Sequence, residues 1–158
     1  MLKSIKVKFD SEISLVFGCG GERDFKKRAL MAKIAKLHCD KIYVTDDNPR
    51  RESPSKIRKE IIKNLKGSRY FNIGNRSRAI KTAITMANAN GVILIAGKGH
   101  ENYQDYGNKV LKISDKEIVS RLRINIKKNN QNHNLNSNIL NKILNNNKKY
   151  NFNGISLD

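Results

Sequence analysis

The chain predicts an α/β fold, a mostly parallel sheet with helices on both faces. Three observations lead there. Short apolar runs alternate with longer segments of helical periodicity. Three of the apolar runs end in polar, charged loops. The 158 residues, 38% of them hydrophobic, suffice for one modest domain with a real core.

The elements follow in order. "ISLVFGC" (13–19) reads as a buried strand, and "DFKKRALMAKIAKLHC" (24–39) as a helix with Leu30, Ile34 and Leu37 at helical spacing. "KIYVTDD" (41–47) is a second strand. "SPSKIRKEIIKNLKG" (53–67) starts with Pro54, places Ile57, Ile61, Ile62 and Leu65 on one face, and stops at Gly67. "RYFNIG" (69–74) is a third strand, and 77–90 a third helix closed by Gly91. "GVILIAG" (91–97) is the most apolar segment and is expected at the centre of the sheet; "KVLKIS" (109–114) is expected as an edge strand. The last helix opens at Ser114, with Glu117 completing a capping-box pattern. Such alternation builds a Rossmann-like sheet, with ligands bound beyond the carboxyl ends of its strands.

Composition narrows the function classes. No stretch approaches the roughly 20 apolar residues that cross a bilayer, and the first residues lack a signal-peptide pattern, so a cytoplasmic protein is expected. Cys19 and Cys39 are too few for a disulfide framework and form no CxxC; buried free thiols are expected. The net charge of +18 and pI of 10.1 raise nucleic-acid binding as an alternative. The basic residues are spread along helix faces with few interleaved aromatics, which disfavours it.

The chemistry concentrates in the loops after strands one, two and four, "GCGGERD", "DDNPRR" and "GKGHENYQD", which open on one sheet edge. The glycines of the first suit a phosphate cradle or a tight turn, and match neither GxGxxG nor GxxxxGK[ST]. In the third, Lys98 could meet a phosphate and His100 could serve as acid or base, or both could be structural. In the second, Pro49 fixes its own φ and biases Asn48 to extended backbone, which gives Arg50 a stiff mount. A guanidinium there suits a carboxylate bidentately, and Asn48 adds a donor and an acceptor. With Glu101 and Arg23 the edge would hold cations and an anion together, as a zwitterionic amino acid requires. Solvated surface charge is the competing reading.

"VFGCGGERDFKKR", "VTDDNPRRESP" and "LIAGKGHENYQ", in this order, resemble the C-terminal domain of Mur ligases, in particular those that add meso-diaminopimelate, over roughly residues 13–124. The resemblance implies that Asp47, Asn48, Pro49 and Arg50 recognise meso-diaminopimelate, with Arg23, Gly97 and Glu101 completing the site. It implies ATP-dependent amide formation on UDP-MurNAc-L-Ala-D-Glu through an acyl phosphate, with ATP and Mg2+ held mostly outside this chain. By that account no catalytic residue lies here and the chain alone is inactive. A related ligase taking lysine or another amino acid is the near alternative, which the arginine of DNPR opposes.

The family's GTxGKT phosphate loop and DYAHxP segment have no counterpart here, Ala29 stands where KRP is common, and GERD replaces GDRD. Four segments are therefore expected: a non-matching 1–12, the ligase domain 13–127, an Asn-rich linker 128–134, and a tail 135–158. The tail resembles the opening of a Mur ligase N-terminal domain, stopping at Asp158 before a DSR, and is expected to pack poorly. This implies a chain truncated at both ends, fused or adjacent to the D-alanyl-D-alanine-adding ligase.

Overall fold

The computed structural model describes residues 11–130, together with Leu2 and Ile5, and side chains in that stretch through Leu122. Ten elements follow one another: β1 (Ile13–Phe17), α1 (Phe25–His38), β2 (Lys41–Val44), α2 (Pro54–Ile62), β3 (Tyr70–Asn72), α3 (Arg76–Thr85), β4 (Val92–Ile95), β5 (Tyr103–Asp105), β6 (Val110–Lys112) and α4 (Asp115–Asn130). The first four strands listed form one parallel sheet in the order β3-β2-β1-β4. The expected α/β class and two-sided helical cover are what the fold has.

Strand alternation divides the core into two layers. Leu15, Phe17, Ile42 and Val44 meet Ala32, Ala35, Ile57 and Ile61 of α1 and α2 on one face. Val16 and Tyr43 meet Ala79, Ile80 and Ala83 of α3 on the other, where Ile118 and Val119 of α4 pack against them. Tyr43 also stacks on Phe71 with ring centroids 4.7 Å apart.

The helices begin where side chains satisfy free N–H groups. Asp24 accepts from the Lys26 amide at 2.8 Å, and Asn75 from the Arg78 amide at 2.8 Å. Ser114 accepts from the Glu117 amide at 3.3 Å, the forward half of the expected capping box. Pro54 sits in the first turn of α2, and Gly67 beyond it adopts φ +81°.

Four expectations need correction. The apolar stripe of α1 does not face the core: Leu30, Ile34 and Leu37 are exposed, while Arg28, Ala32 and Ala35 are buried. Arg28 claims the inward face because its ion pairs with Glu52 and Glu60 lie there, and the two alanines let the helix sit close to the strands. "GVILIAG" forms the edge strand β4, half-buried, since β4 pairs only with β1 among the described residues. "KVLKIS" does not extend the main sheet; β6 pairs antiparallel with β5 in a separate hairpin. Helix α3 ends at Thr85, and a turn closed by the Gly91 amide on the Asn88 carbonyl at 2.8 Å occupies the remainder.

Helix α4 runs to Asn130, into the stretch set apart as a linker. Most of the expected linker and all of the tail 135–158 lie outside the described residues, as does most of 1–10.

Candidate functional site

The chain lays down β1, β2 and β3 in one direction, then returns to place β4 on the far side of β1. That reversal is a topological switch point, where open parallel sheets hold ligands beyond the strand ends. The loops 18–24 and 46–51, and the segment 97–105 that runs into β5, all follow strands of this sheet at that edge.

The first two loops pack backbone on backbone. The Gly21 amide donates to the Asn48 carbonyl at 2.8 Å, and Arg50 Nη1 donates to the Gly21 carbonyl at 2.8 Å. A Cβ on Gly18 would collide with the Thr45 carbonyl oxygen, and one on Gly21 with that of Pro49. These glycines serve close approach between loops, and the Gly21 N–H is committed to Asn48 rather than free for a phosphate. Glu52 ties the pair from below, accepting from the Glu22 amide and from Arg28 Nη2 at 2.9 Å. Those donors hold the Glu52 carboxyl below its ordinary value.

The second and third loops join through Lys98, which is 2% exposed. Its Nζ lies 3.2 Å from Asp47 Oδ1 and 3.0 Å from Glu101 Oε2, and donates to Asn48 Oδ1. Asn48 is itself buried: Oδ1 also accepts from the Asp105 amide at 3.0 Å, and Nδ2 donates to Glu101 Oε2 at 2.9 Å. The Arg50 amide donates to the Asp105 carbonyl at 3.0 Å. Burial alone would raise the Glu101 carboxyl; hydrogen bonds from Asn48 and Lys98, with the charges of Lys98 and Arg50, outweigh it and hold the group low.

The expected residues Asp47, Asn48, Pro49, Arg50, Gly97 and Glu101 thus come together, with Arg23 exposed on the rim. Several of them also bond to one another within the protein. The Asn48 acceptor is used twice within the protein, and Asp47 pairs with Lys98. Gly97 adopts φ +113° and sits where a Cβ would come within 3.0 Å of Asp47 Oδ2. Among the described residues Arg50, at φ +52°, spends its side-chain donors only on the Gly21 carbonyl, and Arg23 makes no hydrogen bond or ion pair. Both side chains pass Gly20: a Cβ there would lie 3.1 Å from Arg50 Nη1 and 3.4 Å from Arg23 Cγ. Glu101 Oε1 likewise makes no hydrogen bond among those residues, and the side chain is 34% exposed. The edge therefore offers two guanidinium forks and one free carboxylate oxygen.

Sequence reading missed the supports. Asp46 pairs with Arg58 of α2, accepts from the Tyr106 hydroxyl at 3.0 Å, and receives Gln104 Nε2 on its carbonyl at 2.9 Å. Burial and the Asp46 charge push the Tyr106 hydroxyl up to about 12. Arg76, 1% exposed, pairs with Asp115 at 2.6 Å and donates to the Ala96 carbonyl at 3.0 Å, fixing the end of β4. No spacing signal links residues so far apart. Lys98 carried a signal, a lysine between two glycines after an apolar strand, but not its partners.

The fold is a doubly wound α/β domain, a class whose ligands bind beyond the carboxyl ends of the strands at the switch point. Residues 1–99 match the family described as "Mur ligase, glutamate ligase domain", and the chain belongs to the Mur ligase family. The match takes in residues 1–12. Among its relatives are two enzymes named UDP-N-acetylmuramoyl-L-alanyl-D-glutamate–2,6-diaminopimelate ligase. The one from Rickettsia conorii is 50% identical over 120 residues, covering 76% of this chain and 25% of that protein. The one from Clostridium acetobutylicum, numbered ligase 1, is 44% identical over 120 residues with the same two coverages, 76% and 25%. A solved structure of a ligase of that name superposes with a TM-score of 0.70 at 37% identity, over 76% of this chain and 25% of that one. The chain spans about a quarter of the length of the relatives it matches.

Proposed function

We propose that this chain forms the amino-acid-binding domain of a cytoplasmic, ATP-dependent ligase that joins meso-diaminopimelate to UDP-MurNAc-L-Ala-D-Glu in peptidoglycan synthesis. The observation that carries the reading is the juxtaposition of unspent Arg50 donors with the free oxygen of Glu101. The far end of meso-diaminopimelate bears a carboxylate and an ammonium. Arg50, with Arg23 beside it, takes the carboxylate, and Glu101 takes the ammonium. Asp47, Asn48, Pro49 and Gly97 build the frame that holds those two groups. The relatives' names and the family match over residues 1–99 support this reading.

ATP and Mg2+ belong to the complete ligase in this reading. Among the described residues no group of three or more His, Cys, Asp and Glu side chains is placed to hold a metal ion. Lys98 is committed to Asp47, Asn48 and Glu101. The chain's own contribution is orientation, holding the distal end so that the reacting amine is presented correctly. Catalytic groups, the UDP-linked substrate and the nucleotide are contributed by other domains. The tail's resemblance supports a neighbouring or fused D-alanyl-D-alanine-adding ligase, which the flanking DNA tests directly.

Titration calorimetry of the chain with meso-diaminopimelate and with L-lysine tests the site. Lysine lacks the second carboxylate and should bind more weakly by about tenfold or more, the cost of leaving a charged donor unpaired. Arg50→Ala should bring meso-diaminopimelate down to the level of lysine. Unchanged preference in that variant removes Arg50 from its role.

A further inference from the structure

Lys98 lies at the centre of the crevice and offers nothing to solvent. An ammonium has three N–H donors; Asn48 Oδ1 and Glu101 Oε2 each accept a hydrogen bond from it, and Asp47 Oδ1 forms an ion pair with it at 3.2 Å. Tyr103 closes over it, its ring centroid 5.5 Å from Nζ. Without this cation, the Asp47 and Glu101 carboxylates would share one partly enclosed space with no buried counter-charge. Lys98 and Arg50 both face the Glu101 carboxylate, and Lys98 is the buried one of the two cations.

Hydrogen bonding distinguishes the two Glu101 oxygens. Lys98 at 3.0 Å and Asn48 Nδ2 at 2.9 Å both engage Glu101 Oε2, and Oε1 accepts no hydrogen bond among the described residues. We infer that Lys98 is the positioning residue that makes Glu101 a half-held carboxylate, one oxygen anchored and the other presented to a ligand ammonium. The ligand part of this inference rests on the amino-acid reading proposed above. Lys98 touches no substrate in this account; it acts through Glu101 and Asn48.

The full 158-residue chain carries the test. Carbon-detected NMR follows the Glu101 carboxyl through its titration in the parent and in Lys98→Met. The charged groups facing Glu101 are Lys98 from its own loop, and Arg50 and Asp47 from the loop after β2. Removing Lys98 should move the Glu101 midpoint upward and weaken meso-diaminopimelate binding by about tenfold at neutral pH. A Glu101 midpoint that stays put in folded Lys98→Met overturns the inference. If that variant does not fold, the parent answers by itself. Its Lys98 ammonium signal should exchange slowly and hold its shift on saturation with meso-diaminopimelate, while the Arg50 guanidinium signal moves. A Lys98 signal that moves as far as that of Arg50 makes it a direct ligand contact and overturns the positioning role. A parent that binds no meso-diaminopimelate, yet shows the Glu101 midpoint obeying Lys98, supports the hold on Glu101 and sinks the amino-acid reading.

Discussion

The carbonyl oxygen of Pro49 occupies the space that a Cβ on Gly21 would need. Backbone, not a flexible side chain, is the obstacle, so the glycine-rich turn and the DNPR loop can only be this close with glycine at 21. Gly21→Ala should destabilise the chain by about 3 kcal/mol through forced separation of the loops. Gly67→Ala is the control. Its φ is +81° with nothing within 4 Å of an added Cβ, so strain alone should cost about 1 kcal/mol. Urea midpoints of the two variants check the difference, and similar losses would contradict the collision.

Arg28 should be intolerant of replacement. It is 1% exposed, with Glu52 at 2.9 Å and Glu60 at 2.7 Å. Arg28→Met leaves two partly buried carboxylates without their cation, a loss of about 3–5 kcal/mol. Because Glu52 also holds the Glu22 amide, the backbone next to Arg23 should loosen as well. Faster amide exchange at Glu22 in the variant checks that second effect.

The acid limb of stability follows from two carboxyls. Glu101 and Glu52 are both held below the ordinary 4.5 in the folded protein. Their stabilisation is fully present above that value and is lost as pH falls through the lower folded values. Urea midpoints measured from neutral pH downward should drop in this window. Glu52→Gln and Glu101→Gln should each flatten the drop while lowering the neutral-pH plateau.

The Cys19 thiol should be inert. Burial and the nearby Asp47 charge push it up to about 12, and its Sγ lies 3.8 Å from Met31 Sδ. At mildly alkaline pH it stays a thiol, and the thiolate is the reactive form. Mass mapping after alkylation should find Cys19 unmodified until urea unfolds the chain. Rapid modification in native buffer would contradict its burial.

Local pattern carried much of the molecule. The strands at Ile13, Lys41 and Val92 were legible as short apolar runs, and the isoleucine face of α2 as a single helical period. The face of α1 was not. Its large apolar residues share one side, but a buried arginine with two glutamate partners outweighs them, and those partners lie 24 and 32 residues away. The edge position of β4 was hidden for a similar reason, since apolar content reports cover by helices and not the number of strand neighbours. At the site, motif identity brought Arg50 and Glu101 forward. The commitment of Asn48 to Lys98 and Asp105 depends on contacts 50 and 57 residues apart, which no spacing rule reaches.

The pairing of Ile13 with Val92 sets an order in time. A chain emerging from the ribosome delivers β1 first and its second neighbour, β4, only after β2 and β3 have been made. Until then one flank of β1 keeps its backbone groups unpaired, and closure waits on a long loop. The crevice inherits the same schedule. Arg23 arrives early, Asn48 and Arg50 next, and Lys98 and Glu101 only behind β4. A nascent chain halted after β3 therefore holds both guanidinium forks and lacks the carboxylate opposite them. The two signs of charge meet only once the segment behind β4 has been made.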